Sequence, residues 1–256
     1  MRITVLTENT ACRESLACEH GLSLYIETGC HKILFDAGQS GAFADNAEAL
    51  GIDLSSVDFA VLSHGHYDHG NGLVRFLEIN STAPVYLRRD AFGFHQNATG
   101  KFIGLPQELK DNPRLILTDD TLEIAPGITL SSCNDLPRPY GTDSAGLTLD
   151  GSPDTFLHEQ YLLIEEDGKR VLISGCSHKG ILNIVSWFQP DVLVGGFHFM
   201  KVAPEDPALD RAAEKLLEVP TRYYTGHCTG QAQFHRLKEK MGSRLQSIST
   251  GSTFVL

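Results

Sequence analysis

An α/β protein of two halves packed face to face is the fold the sequence predicts, and three observations carry it. Short apolar runs of strand length recur along the 256 residues, each bounded by glycine or polar residues. Stretches with helical spacing separate them, in the order strands then helix, twice over. Apolar residues make up 41% and charged residues 21%, enough for a real core and too apolar for a disordered chain. No low-complexity tract or solenoid-type repeat interrupts the pattern.

Strands are predicted over residues 3–6, 22–26 and 33–35, the third closed by Asp36-Ala37-Gly38. Residues 40–50 read as a helix with Phe43, Ala47 and Leu50 on one face. The run 57–62, apolar except for Asp58, predicts a buried strand, 73–77 a helix after a glycine-rich turn, and 85–87 another strand. Residues 91–113 are rich in aromatics and glycine without a clear period, which suggests a lid or substrate wall. Further strands are predicted at 115–117, 128–131, 161–165, 171–174, 192–194 and 222–225. Helices fit 181–188, 208–217 and 231–241, with Pro207 at a favoured helix start. The chain reads as one domain, 1–256, with pseudo-halves of about 1–125 and 126–256.

No apolar run reaches the roughly 18 residues of a membrane span, so no membrane partner is expected. The N-terminus turns polar too soon for a signal peptide, which makes the cytoplasm the expected location. A net charge of −11 disfavours non-specific nucleic-acid binding, although a bound metal can reverse a local field. The six cysteines form no C-x-x-C pair and, with no secretion signal, no disulfide framework is expected; most are expected to be small buried residues.

The chemistry lies in Leu62-Ser63-His64-Gly65-His66-Tyr67-Asp68-His69, where four metal-capable side chains fall within six positions. They follow a buried strand and precede a helix, so they occupy the turn at a strand's C-terminal end. Imidazoles suit zinc, iron, nickel or copper, and a carboxylate adds charge to hold a second cation. His64 and His66 can face one ion, and Asp68 and His69 its neighbour. Two ions about 3.5–4 Å apart could share a hydroxide and polarise a substrate oxygen. A structural zinc would usually be closed by cysteine, and this cluster has none.

H-x-H-x-D-H after an apolar strand resembles the signature of the metallo-β-lactamase superfamily, and Asp36-Ala37-Gly38 resembles its upstream D-x-G element. Glu19-His-Gly-Leu-Ser-Leu-Tyr25, Ser174-Gly-Cys-Ser-His-Lys-Gly-Ile181, Gly195-Gly-Phe-His198 and Thr225-Gly-His-Cys-Thr-Gly230 look like the branch often named for a dihydropterin–ribofuranosylaminobenzene phosphate synthase. The resemblance implies a four-layer αβ/βα sandwich. Two mixed sheets would pack face to face with helices outside and a binuclear metal site at the sheet edges. His227 matches the superfamily's last ligand. The middle ligands usually flank a β-hairpin: a histidine before it and a bridging aspartate after it. Here His158 precedes the hairpin, and Cys176 stands where the aspartate should be, followed by His178. The branch resemblance favours His178 as ligand, with His158 and Cys176 as the further candidates. Asp36 is expected to orient a ligand histidine or cap its turn. His198 is expected beside the ligands or facing substrate. His95 and Lys101 are candidates for substrate binding, and Lys101 and Lys179 together for a phosphate cradle. His20, His31, His95 and His235 read more often as surface or packing residues, although His95 lies in the candidate lid.

The leading expectation is a hydrolase with two divalent ions, zinc first and iron or manganese as alternatives. It would direct a metal-bound hydroxide at a small-molecule ester or phosphoester, with Asp68 as ligand and proton acceptor. A pterin-related condensing enzyme is the second expectation, and a redox or non-catalytic member of the fold the third. Oligomerisation stays open.

Overall fold

Two seven-stranded sheets carry the same mixed design, three antiparallel pairings followed by three parallel ones. The computed structural model describes residues 1–142 and 144–256. The first sheet runs in the order Thr253–Val255, Arg2–Thr7, Ser23–Glu27, Lys32–Phe35, Phe59–Val61, Val85–Arg88 and Leu115–Thr118. The second runs Leu245–Ser247, Arg222–Thr225, Val192–Val194, Lys169–Ile173, Tyr161–Glu166, Ile128–Ser131 and Thr121–Ala125. Thr121–Ala125, placed in the first half by sequence, pairs with the second sheet, and the last strand of the chain returns to the first.

Strand alternation sorts the apolar side chains into layers. Ile33, Phe35, Phe59 and Val61 of the first sheet meet Leu162, Ile164, Val171, Ile173, Val192 and Val194 of the second in the central core. Leu34, Ala60 and Leu62 face outward onto Phe43 and Ala47 of helix Ala42–Ala49 and Leu73 and Phe76 of helix Leu73–Ile79. Leu172, Leu193 and Tyr223 do the same beneath helices Ile181–Phe188, Pro207–Leu217 and Gln231–Met241. The layers are therefore helix, sheet, sheet, helix. Each large apolar side chain taken out of water in these layers contributes about 1.5–3 kcal/mol.

Segment 91–113 is more ordered than its composition suggests. His95–Gln96 pairs with Thr148–Leu149, which pairs with Ser152–Pro153, in a small third sheet. Ala91, Leu105 and Leu109 are buried in the first core, and Ile103 packs with Leu147, Phe156 and Tyr67. Phe94 and Phe102 stack on each other, centroids 5.3 Å apart, on the exposed face. Among the described residues no helix is long and apolar enough to cross a membrane. All six cysteines are free, but most are not buried as expected: only Cys176 and Cys228 are, while Cys12, Cys18 and Cys30 are exposed and Cys133 is intermediate.

Candidate metal centre

Parallel strands end together, so turns following them converge on one rim of the sandwich. The segment after Phe59–Val61 brings His64 and His66, and a short helix, Tyr67–Gly70, turns Asp68 and His69 inward. The turn after Lys169–Ile173 brings Cys176 and His178, and the one after Arg222–Thr225 brings His227. Gln160 ties the second sheet to the first, its N–H donating to Ser63 O at 2.8 Å and its side-chain amide to Leu62 O at 2.8 Å.

A buried carboxylate holds each of these turns. Asp36 accepts the Ser63 N–H at 2.7 Å. Glu159 accepts the His178 N–H at 2.7 Å and the Tyr161 hydroxyl at 2.6 Å. Glu8 accepts the His227 N–H at 2.6 Å. Asp36, Ser177, His198 and His227 all have left-handed backbone, with φ between 49° and 60°. Such conformations cost energy and persist where the surroundings enforce them.

The hydrogen bonds also fix which imidazole nitrogen faces inward. His69 Nδ1 lies 2.6 Å from Asp36 Oδ2, and a carboxylate only accepts, so Nδ1 carries a hydrogen and, in the neutral ring, Nε2 is a lone pair; burial lowers the His69 pKa, but Asp36 and Asp68 outweigh it and raise it. His227 Nδ1 donates to Asn9 Oδ1 at 2.9 Å, an oxygen that also accepts the Gly21 N–H, so its Nε2 is a lone pair too. The two Nε2 atoms face each other at 3.1 Å. Ser63 gives its one hydroxyl hydrogen to Asp36 and accepts from His64 Nδ1 at 2.8 Å, so His64 Nε2 also points inward bare. It stands 3.3 Å from His178 Nε2. A rim that turns buried lone pairs on each other is built for cations.

Two clusters result. The rings of His64, His66 and His178 surround one point, with centroids 4.6, 4.8 and 4.9 Å apart. In the other, Asp68 Oδ2 lies 3.4 Å from His227 Nε2 and 3.9 Å from His69 Nε2. Cys176 Sγ, 3.2 Å from His69 Nε2, joins both groups. Burial, then neighbouring imidazoles, pushes His64 and His178 well below the usual histidine range, which keeps them neutral and ready to ligate. Burial would raise Asp68, but His69, His20 and His227 outweigh it and hold the carboxyl well below its usual range. Burial pushes the Cys176 thiol up, so a cation is what would make it a thiolate.

The remaining sequence candidates fall around this centre. His158 lies against it with both nitrogens engaged: Nδ1 accepts the Gly65 N–H at 2.9 Å and Nε2 meets Asp154 at 3.1 Å. It has no lone pair to offer an ion. His198 is half-buried beside His178, centroids 4.3 Å apart. Lys101 is exposed, its Nζ 6.0 Å above the Tyr67 ring at the rim. His95 is fully buried in the wall. Lys179 cannot cradle a phosphate: it is fully buried, and its Nζ donates to Ser132 O and Glu159 O at 2.6 and 2.8 Å.

Sequence reasoning set His20 aside as a surface or packing residue, yet its Nε2 lies 3.2 Å from Asp68 Oδ2 and its side chain is 41% exposed at the mouth. It passed over Glu8, Asn9, Ser63, Asp154 and Glu159 as well. Ser63 lies inside the motif, and Glu8 and Asn9 follow a buried strand at the same end as the motif. Those positions were the available signal.

The profile of the metallo-beta-lactamase superfamily matches residues 17–227. The uncharacterized protein MJ0448 of Methanocaldococcus jannaschii is 30% identical over 248 residues, covering 93% of this chain and 94% of that one. The 7,8-dihydropterin-6-methyl-4-(beta-D-ribofuranosyl)-aminobenzene-5'-phosphate synthase of the same organism is 28% identical, covering 91% of this chain and 88% of its own. The crystal structure of Tm1679, described as a metal-dependent hydrolase of the beta-lactamase superfamily, superposes with a TM-score of 0.86 at 27% identity, over 100% of this chain and 99% of that one. Zinc-bound PqqB from Methylobacterium extorquens superposes at 0.61 and 15% identity, over the full length of both chains, a likeness of fold.

Proposed function

The chain belongs to the metallo-beta-lactamase superfamily, and on that footing we propose that it is a hydrolase of a small-molecule ester or phosphoester that works with two divalent ions, zinc foremost. The observation that carries this reading is the pair of inward-facing Nε2 atoms of His69 and His227, 3.1 Å apart, with the opposite nitrogens held by Asp36 and Asn9. His64, His66 and His178 would hold one ion. Asp68, His69 and His227 would hold the other, with Cys176 between them. When bound, the ions supply Lewis acidity, which makes water nucleophilic near neutral pH and polarises the bond under attack. The protein's part is orientation. Asp36, Glu8 and Glu159 fix the turns, Asp68 stays ionised as the proton acceptor, and His20 stands against Asp68 at the mouth. Elemental analysis with a panel of ester and phosphodiester substrates tests the reading. One to two zinc, iron or manganese ions per chain with ester or phosphodiester turnover supports it, and a metal-replete preparation without any of them refutes it.

The 28% identical relative favours a second reading, a condensation that joins a pterin unit to an aminobenzene ribose phosphate. Product analysis after incubation with both halves separates the two: a joined product supports condensation, and cleavage of either half alone supports hydrolysis.

A further inference from the structure

A cleft of about 560 Å³ opens beside the metal centre, and of the candidate ligands His227 alone lines it. The ends of three strands build it. Arg2–Thr7 leads into Glu8 and Asn9, Arg222–Thr225 into His227, and Leu245–Ser247 into Ser249. Clefts at the carboxyl ends of strands are where α/β folds commonly take ligands. Helix Gln231–Met241 closes the cleft with Gln231, Phe234 and His235, which the helical repeat sets on one face.

The lining decides what fits. Among the described residues no lysine or arginine lines the cleft. The Glu8 carboxylate is already spent: Oε1 accepts the His227 N–H at 2.6 Å, and Oε2 accepts the Thr10 N–H and hydroxyl at 2.7 and 2.6 Å. A charged group would therefore find no counter-charge from either. Phe234, half-buried, and Met200, 43% exposed, supply an apolar face. The Gln231 amide and the Ser247 hydroxyl bond to no described residue, so both are open to a ligand. Apolar faces with a few convergent neutral polar groups suit an uncharged ring with a hydrogen-bonding edge. A carboxamide side chain matches one such edge at two points, the adjacent C=O and N–H of a cyclic amide.

We propose that this cleft is a specificity subsite for an uncharged heterocycle with a cyclic-amide edge. Gln231 reads the edge and Phe234 stacks on the ring, while the rest of the substrate reaches past His227 to the ions. The site of cleavage rests on the hydrolase reading above; the binding does not. The test therefore has two arms, both on the full chain. In the first, calorimetry measures inosine and thymidine binding to zinc-loaded and to chelator-treated protein. Binding is expected in both states, weakened about 10-fold by Gln231→Ala and by Phe234→Leu. Gln231 is exposed, so its variant decides the matter whether or not Phe234→Leu folds. In the second arm, kcat/KM is compared for thymidine 5′-(p-nitrophenyl phosphate) and methyl p-nitrophenyl phosphate. In each, water adds to phosphorus and p-nitrophenolate leaves. The wild type should favour the nucleoside ester about 10-fold, and Gln231→Ala should bring the ratio towards one. Failure of the wild type to bind either nucleoside, or wild-type affinity in Gln231→Ala, overturns the proposal. Nucleoside binding that Gln231→Ala weakens, without turnover of either ester, upholds the subsite and refutes the hydrolase reading alone.

Discussion

Asp36→Asn is the sharpest perturbation of the centre, because one carboxylate serves both clusters. Asp36 is fully buried and accepts three hydrogen bonds, from Ser63 N–H, Ser63 Oγ–H and His69 Nδ1–H, at 2.7, 2.7 and 2.6 Å. Asparagine matches it in size and tolerates its φ of 57°, so the backbone is spared. The amide, however, replaces one acceptor by a donor. If Oδ1 keeps the Ser63 N–H, the NH2 group confronts the Ser63 hydroxyl and His69 Nδ1. Relief comes when His69 moves its hydrogen to Nε2, which abolishes the lone pair facing His227. An altered partner of a ligand histidine costs about 10–100-fold in metal affinity, or ~1.4–2.7 kcal/mol. A further loss of about 1–3 kcal/mol in stability follows from the compromised buried hydrogen bonds. The assay is chelator competition for each ion, with a denaturant titration alongside. Ser63→Ala is the control: it removes the relay to His64 and leaves His69 alone, so the ion at His64 should weaken and the other should not. Wild-type affinity for both ions in Asp36→Asn, with only a lowered unfolding midpoint, would refute this reasoning and make Asp36 a turn residue.

Four further outcomes are expected. His178→Ala should lose an ion and activity together, whereas His158→Phe should retain both ions in stoichiometry and lose affinity; elemental analysis reading the reverse would make His158 the ligand. Cys176→Ser should weaken the ion at Asp68, His69 and His227 more than its neighbour, and unchanged stoichiometry would reduce Cys176 to packing. A methyl group at Gly175 would collide with Ser63 Oγ and press on His64 Nδ1 at 3.1 Å, so Gly175→Ala should weaken the His64 ion, as chelator competition would read. Burial lowers Lys179 from 10.5 to about 8, against the pull of Glu159. Between those pH values the unfolded chain holds more protons than the native one, so stability rises with pH through this window. Lys179→Met should lack that rise in denaturant midpoints taken from pH 7.5 to 10.5.

The strands and helices were legible where apolar period and length agreed. Helices Ile181–Phe188 and Gln231–Met241 and strands Ile128–Ser131 and Arg222–Thr225 have the bounds their periodicity predicts. Thr121–Ala125 and Leu245–Ser247 were not legible, because edge strands mix exposed polar and apolar residues without a clean alternation. The order within segment 91–113 was hidden for another reason. Its two-residue strand His95–Gln96 is too short to show a period, and it is held by contacts with residues 148–149, far away in sequence. At the centre, the histidines stood out by their spacing, but their orienting groups did not. Glu8 lies 219 residues from His227 and Asp154 lies 59 from His95, so only the fold makes them neighbours. Lys179 shows the opposite error. A lysine beside a ligand histidine looks available to substrate, yet the alternation of a tight turn sends it into the protein.

Each proposed ion would draw ligands from both sheets. His64 and His66 come from the first and His178 from the second; Asp68 and His69 come from the first and Cys176 and His227 from the second. The ions would then stitch together two turns whose buried ligands otherwise set lone pair against lone pair at the sandwich rim. The central core lies beneath, between Phe35 and Val61 on one side and Ile173 and Val194 on the other, and none of its members is a ligand. Metal removal should therefore loosen the rim and leave the sandwich standing. His66→Ala should abolish activity, remain folded by far-ultraviolet dichroism, and melt below the metal-loaded wild type but close to the chelated one. Collapse of the whole fold on chelation would show instead that the ions, and not the inter-sheet core, hold the two halves together.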